Sequence, residues 1–310
     1  MPLPRPIVIA GSLNMDFVVQ VERLPRRGET LPGRGFQPIP GGKGANQACA
    51  VGRLGGRGRM VGRVGDDVFG RQLKAGLRSS GVDVRGVLET PGEPTGVALI
   101  FVEAGGQNVI VIAAGANGRL APADLRAMRG ARNGILLLQL ETPLRTVAAA
   151  AARGRRPGLT TILDPAPARP LPPALLRHVD VLTPNESEAR TLLRRPAGEV
   201  SVREAPSVAA ALRRLGPGTV ILKMGAKGAW VDDGAGGRHV PGLAVKAVDT
   251  TAAGDTFNGA LAVALAEGRP IGEAVRFANA AAAISVTRPG AQASIPTRAE
   301  TDAFLARRGR

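Results

Sequence analysis

Tyrosine is absent from these 310 residues, tryptophan occurs once, and aromatic residues make up only 3%. A surface that reads nucleic acid by stacking needs aromatic platforms beside its cations, so that mode is poorly supplied. Cysteine is equally scarce. Cys49 alone cannot close an intramolecular disulfide, and with only two histidines, His178 and His239, far apart in sequence, no Cys/His zinc set can be assembled. Cys49 falls in the apolar run Ala48 to Val51, which predicts a small buried hydrophobe rather than a nucleophile. Nowhere do 18 uninterrupted apolar residues occur, and Met-Pro-Leu-Pro-Arg-Pro leads into an apolar run of only four. Neither a membrane span nor an export signal is expected, which makes the cytoplasm the default location.

What is abundant is arginine, which outnumbers lysine 36 to 5 and lifts the formal charge to +16. Such a charge attracts phosphates over a Debye length. The arginines are scattered singly, however, and short clusters such as Arg153, Arg155, Arg156 and Arg307, Arg308, Arg310 read as solvated faces. No nucleic-acid partner is expected. With 44% hydrophobic residues and no long polar linker, the chain reads as one domain over residues 1–310.

Short apolar runs recur at Ile7 to Ala10, Ile135 to Leu140, Thr160 to Leu163, Val179 to Leu182 and Thr219 to Leu222. These predict buried parallel strands. Asp67 to Arg78, Leu144 to Arg153 and Ser207 to Leu215 carry apolar residues at helical spacing, so strand and helix alternate as in a doubly wound α/β sheet. Phe17 to Val21 and Gly96 to Val102 break the rhythm, the latter joined through Ala104-Gly105-Gly106 to Val109 to Ile112. They predict a small antiparallel sheet formed by about residues 14–40 and 95–113, acting as a lid. An isolated sheet of that size needs cover for its exposed face, so a homodimer through the lid is expected.

Two segments carry chemistry. Gly41-Gly42-Lys43-Gly44-Ala45-Asn46 precedes a predicted helix from Gln47 to Leu54. Its glycines let backbone approach a ligand, while Lys43 and Asn46 offer donors to hydroxyls. Lys43 is followed by glycine rather than Ser or Thr, so this is no Walker loop. An ordinary glycine-rich turn is the equal alternative on this segment alone.

The second segment, Asp249-Thr250-Thr251-Ala252-Ala253-Gly254-Asp255-Thr256-Phe257-Asn258-Gly259-Ala260, leads into the apolar run Leu261 to Ala266. Small residues at 252–254 leave the first N–H groups of a helix open to an anion. Asp255 at that helix start is expected to stay ionised and to accept the proton of an attacking hydroxyl. Simple helix capping by Asp255 is the plainer alternative, but it leaves the glycine and alanine pattern unexplained.

These paired motifs resemble the two signatures of the ribokinase-type (PfkB) carbohydrate kinase family. Similarity extends through Gly11-Ser12-Leu13-Asn14-Met15-Asp16, Ala114-Gly115-Ala116-Asn117, Gln139-Leu140-Glu141, Asp164-Pro165-Ala166-Pro167-Ala168 and Thr183-Pro184-Asn185-Glu186. The resemblance implies an ATP-dependent kinase in which Asn14, Met15, Asp16, Gly42 to Asn46 and Glu141 hold a sugar. Lys43 as the one lysine among these residues favours an unphosphorylated pentose, ribose, over a sugar phosphate. It further implies that Asp255 takes the O5 proton while Ala253, Gly254 and the helix start cradle the moving phosphoryl group.

For the nucleotide the resemblance implies Asn185, the turn Lys223-Met224-Gly225-Ala226-Lys227-Gly228, Gly254 and Asn279, with Glu188 near Mg²⁺. Threonine often stands at the position of Lys223 and histidine at that of Asn279 in ribokinase-like sequences. A helix N-cap by Asn185 with its acid at Glu188 would be compatible with the nucleotide role. The resemblance also implies activation by K⁺, held around Asp249, Thr251, Ser285, Arg288, Gly290 and Ser294. The nearest rivals are a kinase of the same family acting on deoxyribose, another sugar or a nucleoside, and a catalytically silent sugar sensor.

Overall fold

The computed structural model describes residues 5–103, 105 and 107–308. Residues 104 and 106 of the expected lid turn, Arg310 of the C-terminal arginine cluster and residues 1–4 lie outside the described residues.

In chain order the strands are β1 (Ile7–Ala10), β2 (Asn14–Val21), β3 (Arg34–Gly41), β4 (Gly58–Gly65), β5 (Asp83–Thr90), β6 (Gly96–Glu103) and β7 (Asn108–Ala113). They continue as β8 (Ile135–Leu138), β9 (Thr160–Leu163), β10 (Val181–Leu182), β11 (Thr219–Lys223), β12 (Gly228–Asp232) and β13 (Gly237–Pro241). The helices are α1 (Lys43–Arg53), α2 (Val68–Ser79), α3 (Leu144–Gly154), α4 (Pro173–Leu176) and α5 (Glu186–Leu192). After these come α6 (Ala205–Arg213), α7 (Ala253–Ala266), α8 (Ile271–Ser285) and α9 (Arg298–Arg308).

Among the described residues the large sheet runs β13-β12-β11-β10-β9-β8-β1-β4-β5, parallel except where β12 and β13 turn back. Its central strands are apolar on both faces because both are covered. Ile7, Ile9, Ile135 and Leu137 join the core under α1, α7 and α8, with Leu261 and Phe277. The alternate residues Val8, Ala10, Leu136 and Leu138 join the core under α3 and α6, with Val147 and Leu212. Cys49 is buried in the first of these cores, as expected of a small hydrophobe. No described helix is long and apolar enough to cross a membrane.

The small sheet runs β3-β2-β6-β7 and rises from the end of β1. β2 pairs β3, and β6 pairs β7, in antiparallel fashion, but β2 and β6 run parallel, Asn14 opposite Gly96 and Val21 opposite Glu103. The outer pairs are antiparallel as expected, and only the central pair β2–β6 runs parallel. Tight turns fix only the β6–β7 direction, whereas β2 and β6 are separated by a passage through the main sheet that leaves them free to run alike. Phe17 and Phe36 stack at 5.6 Å between ring centres. Phe36, Leu99 and all of Val109 to Ile112 remain exposed, leaving an uncovered apolar face.

Candidate active site

Ligands of open α/β sheets sit beyond the carboxyl ends of the parallel strands. There β1 gives way to Gly11 and Ser12, β8 to Gln139 and Glu141, and β9 to Asp164. Helix α1 starts at Lys43, four residues before the expected boundary, so Lys43 to Asn46 form its first turn. Gly42 makes this possible: its φ of 86° turns the chain into the helix, and a Cβ there would lie 2.6 Å from the Asn14 nitrogen. Gly44 is pressed as closely on Ser12, where a Cβ would fall 2.6 Å from the backbone nitrogen.

Helix α7 brings the second motif to the same place. It starts at Ala253, well before the apolar run from Leu261, so Asp255 lies in its first turn. Its N-cap Ala252 adopts the left-handed conformation at φ 57° and supplies no side-chain cap. The Ala253 N–H donates to Thr250 O at 3.2 Å, whereas those of Gly254 and Asp255 have no acceptor among the described residues. The amides left open to an anion in this conformation are those of Gly254 and Asp255. The Asp255 carboxylate caps nothing: it accepts from Asn46 Nδ2 at 3.0 Å and from Gln47 Nε2 at 3.1 Å. The glycine-rich helix start is thereby locked to the acid across the cleft.

The electrostatics are dominated by carboxylates sharing few cations. Burial pushes the Asp255 carboxyl above its usual range, against the pull of Lys43 and the bonds from Asn46 and Gln47. Asp16 is raised to about 7, first by burial and then by Glu141 and Asp255. Its Oδ1 is buried without a partner among the described residues, and Gly41 alone leaves room for its carboxyl, because a Cβ there would lie 2.0 Å from Oδ2. An orphaned acceptor of that kind fits a hydroxylated ligand. The Lys43 ammonium is driven down by burial but held above its usual range by Asp255, Asp164 and Glu141.

Glu141 Oε2 accepts both from Ser12 Oγ at 2.5 Å and from the Lys43 N–H at 3.0 Å. Asn14 Oδ1 accepts from Asn117 Nδ2 at 2.7 Å. The side chains of Met15 and Ala45 lie in the apolar core and offer the cleft only their backbone. Met224 is likewise packed under the sheet, so it offers a nucleotide only its backbone. Hydrophobic side chains beside a polar cleft take the apolar side when the pleat allows it.

Where the sequence predicts a nucleotide, Asn185 and Glu188 form a reciprocal capping box on α5, Asn185 Oδ1 accepting from the Glu188 N–H at 2.8 Å and Glu188 Oε2 from the Asn185 N–H at 2.7 Å. Gly225 and Gly228 hold φ of 56° and 92° in the turn around Ala226. Lys227 pairs with Glu186 at 2.6 Å, so its ammonium faces α5. Asn279 donates to Val240 O at 3.3 Å and Pro241 O at 3.2 Å. Beside α7, Asp249 accepts from Thr251 N and Oγ1 at 2.9 and 2.6 Å and from the Gly290 N–H at 2.8 Å. Ser294 Oγ donates to Ala291 O and Ser285 Oγ to Ala282 O, while the Arg288 guanidinium turns to Glu300 at 2.6 Å.

Sequence reasoning assigned no role to Gln47 or to Asp164. Gln47 bridges Asp255 and Asp164 Oδ2, the latter at 3.0 Å, and Asp164 Oδ1 accepts from Lys223 Nζ at 2.9 Å. The available signal was position, since Asp164 follows directly on β9, at the strand ends where ligands bind.

An uncapped helix start with a carboxylate beside it, facing a polar pocket of amides and acids, defines a phosphotransferase for hydroxylated small molecules. The chain belongs to the pfkB family of carbohydrate kinases, whose pattern matches residues 5–298. It is similar to the ribokinase of Haemophilus influenzae, with 43% identity over 302 residues, covering 96% of this chain and 98% of that one. Among solved structures it resembles a Thermotoga maritima ribokinase (TM-score 0.88, 40% identity, 97% of this chain and 99% of that one). It also resembles an Arabidopsis thaliana ribokinase complexed with ribose and ATP (TM-score 0.90, 36% identity, 98% and 99%).

Proposed function

We propose that this protein is an ATP-dependent ribokinase that moves the γ-phosphoryl group of ATP onto the O5 hydroxyl of D-ribose. The observation that carries this reading is the Asp255 carboxylate, fixed by Asn46 and Gln47 beside the open amides of α7. As the bond from phosphorus to the ADP bridging oxygen breaks, the bond to O5 forms and the O5 proton passes to Asp255. ADP leaves with the bridging electron pair. Dehydration favours Asp255 as an acceptor, because a raised pKa makes a stronger base.

Asn14, Asp16, the first turn of α1 and Glu141 bind the sugar, and the orphaned Asp16 Oδ1 supports a hydroxyl partner there. Asn185, the 223–228 turn, Gly254 and Asn279 face the nucleotide. Glu188 supplies a hard oxygen that, with the nucleotide's phosphates and water, suits Mg²⁺, which usually takes only one or two carboxylates from protein. When bound, Mg²⁺ neutralises phosphate charge. The Asp249–Thr251–Gly290 junction, with Ser285, Arg288 and Ser294 close in sequence, suits K⁺ through carboxylate and carbonyl oxygens. The exposed apolar face of the small sheet supports a homodimer through the lid, and the cytoplasm is the compartment that holds the substrates.

A coupled ADP-release assay across pentoses, deoxyribose, hexoses and nucleosides, each with and without K⁺, tests the reading. Ribose is expected to give the highest kcat/KM. A preference for deoxyribose or a nucleoside would reassign the substrate, and no turnover with any of them would reject the activity.

A further inference from the structure

Lys223 is the last residue of β11, and its ammonium lies inside the cleft beside α7. One of its N–H donors goes to Asp164 Oδ1 at 2.9 Å; no other acceptor for it occurs among the described residues. Its side chain is 12% exposed, and that of Asp164 only 3%. A methyl group placed on Gly254 would come within 3.5 Å of Lys223 Nζ, so the ammonium overhangs the same helix start that presents the open amides. A nearly buried cation with unspent donors is costly unless a ligand uses them. Glu188 and Asp255 lie close enough to act on its charge, which places it among the groups that surround the reacting atoms.

We infer that Lys223 is a further catalytic residue, whose ammonium donates to the terminal phosphoryl group of the bound nucleoside triphosphate while Asp164 and Gln47 hold it in line with Asp255. This rests on the kinase reading and deepens it. The ligand class follows from position: the amides of α7 and the ammonium converge on one small volume, and a terminal phosphate presents three oxygens to such a set. A nucleoside diphosphate lacks that group and gains little from Lys223. A purely structural ion pair would instead support both nucleotides alike.

Calorimetry separates these cases, using ADP and the non-hydrolysable β,γ-imido analogue of ATP, each with Mg²⁺. The proteins are wild type, Lys223→Met, Lys223→Arg and the double variant Lys223→Met/Asp164→Asn. The double variant removes one charge of each sign, so it preserves the net charge of the cleft and leaves no buried carboxylate unpaired. In both Met-containing variants, affinity for the analogue is expected to fall roughly 10- to 100-fold, the range of one hydrogen bond to a charged group. Affinity for ADP should change less than threefold, and Lys223→Arg should retain most of the discrimination. Equal weakening of both nucleotides, or unchanged discrimination in the double variant, overturns the inference while leaving the kinase reading intact. Wild-type protein that binds neither nucleotide would reject both.

Discussion

Asn46 and Asp255 stand 209 residues apart in the chain, yet Asn46 Nδ2 donates to Asp255 Oδ2 at 3.0 Å. The contact joins the first turn of α1 to the first turn of α7, so the segment proposed to bind the sugar and the proposed proton acceptor share one rigid arrangement. Asp255→Asn keeps the shape and removes the basicity. Turnover should fall about 10²- to 10⁴-fold while ribose binding by calorimetry stays within a few-fold. A variant turning over within threefold of wild type would remove Asp255 as the base.

Asp16 couples folding to pH. Its folded pKa of about 7 lies above the ordinary aspartate value of 3.8, so the folded state binds the proton more tightly. Its contribution to stability is therefore complete below pH 4 and is lost as pH rises toward 7. Asp16→Asn should gain on wild type over that window, by at most about 1.4 kcal/mol per pH unit, and the difference should level off above pH 7. Thermal melts of the two ligand-free proteins at several pH values measure it, and a difference that shrinks with rising pH would contradict the assignment.

Gly44 leaves no room for a side chain. The Cβ of Gly44→Ala would lie 2.6 Å from Ser12 N and 2.7 Å from Gly11 C, both backbone atoms that cannot swing aside. Overpacking of this kind should cost about 1–3 kcal/mol in urea unfolding and raise KM for the sugar as α1 shifts.

The uncovered face of the small sheet predicts its own partner. Val111→Asp, on a strand exposed along its whole length, should yield monomers in sedimentation velocity where wild type gives dimers. Wild-type monomers at micromolar concentration would dispose of the lid interface.

Asp249 ties two loops together beside α7. Asp249→Ala should raise the K⁺ concentration for half-maximal activity at least tenfold, with stability measured in parallel to separate loosening of the loops from loss of the ion. An unchanged K⁺ titration would count against this cation site.

Much of this was legible in the sequence. The runs at Ile7 and Thr160 became strands at the residues expected, because a strand covered on both faces must be apolar throughout. The periodicity from Asp67 likewise gave α2, with Asp67 as its N-cap. β4 escaped because Gly58-Arg59 and Gly62-Arg63 interrupt its apolar pattern, and their environment is decided by neighbouring strands. The start of α1 was misplaced because glycine has low helix propensity, which packing against Ser12 overrides. Lys43, Asn46 and Asp255 could be named from local chemistry. Gln47 and Asp164 could not, since their importance lies in touching each other and Lys223 across 117 and 59 residues.

The order of the large sheet bears on how the protein is made. β1 precedes the other described strands in the chain, yet it takes an interior place in the sheet between β4 and β8. A nascent chain emerging from the ribosome thus carries its central strand with one flank open until β8 follows, a stretch of synthesis in which it depends on chaperones or on speed. Asp255 arrives later still, on α7, so a polypeptide ending before that helix lacks the proposed proton acceptor.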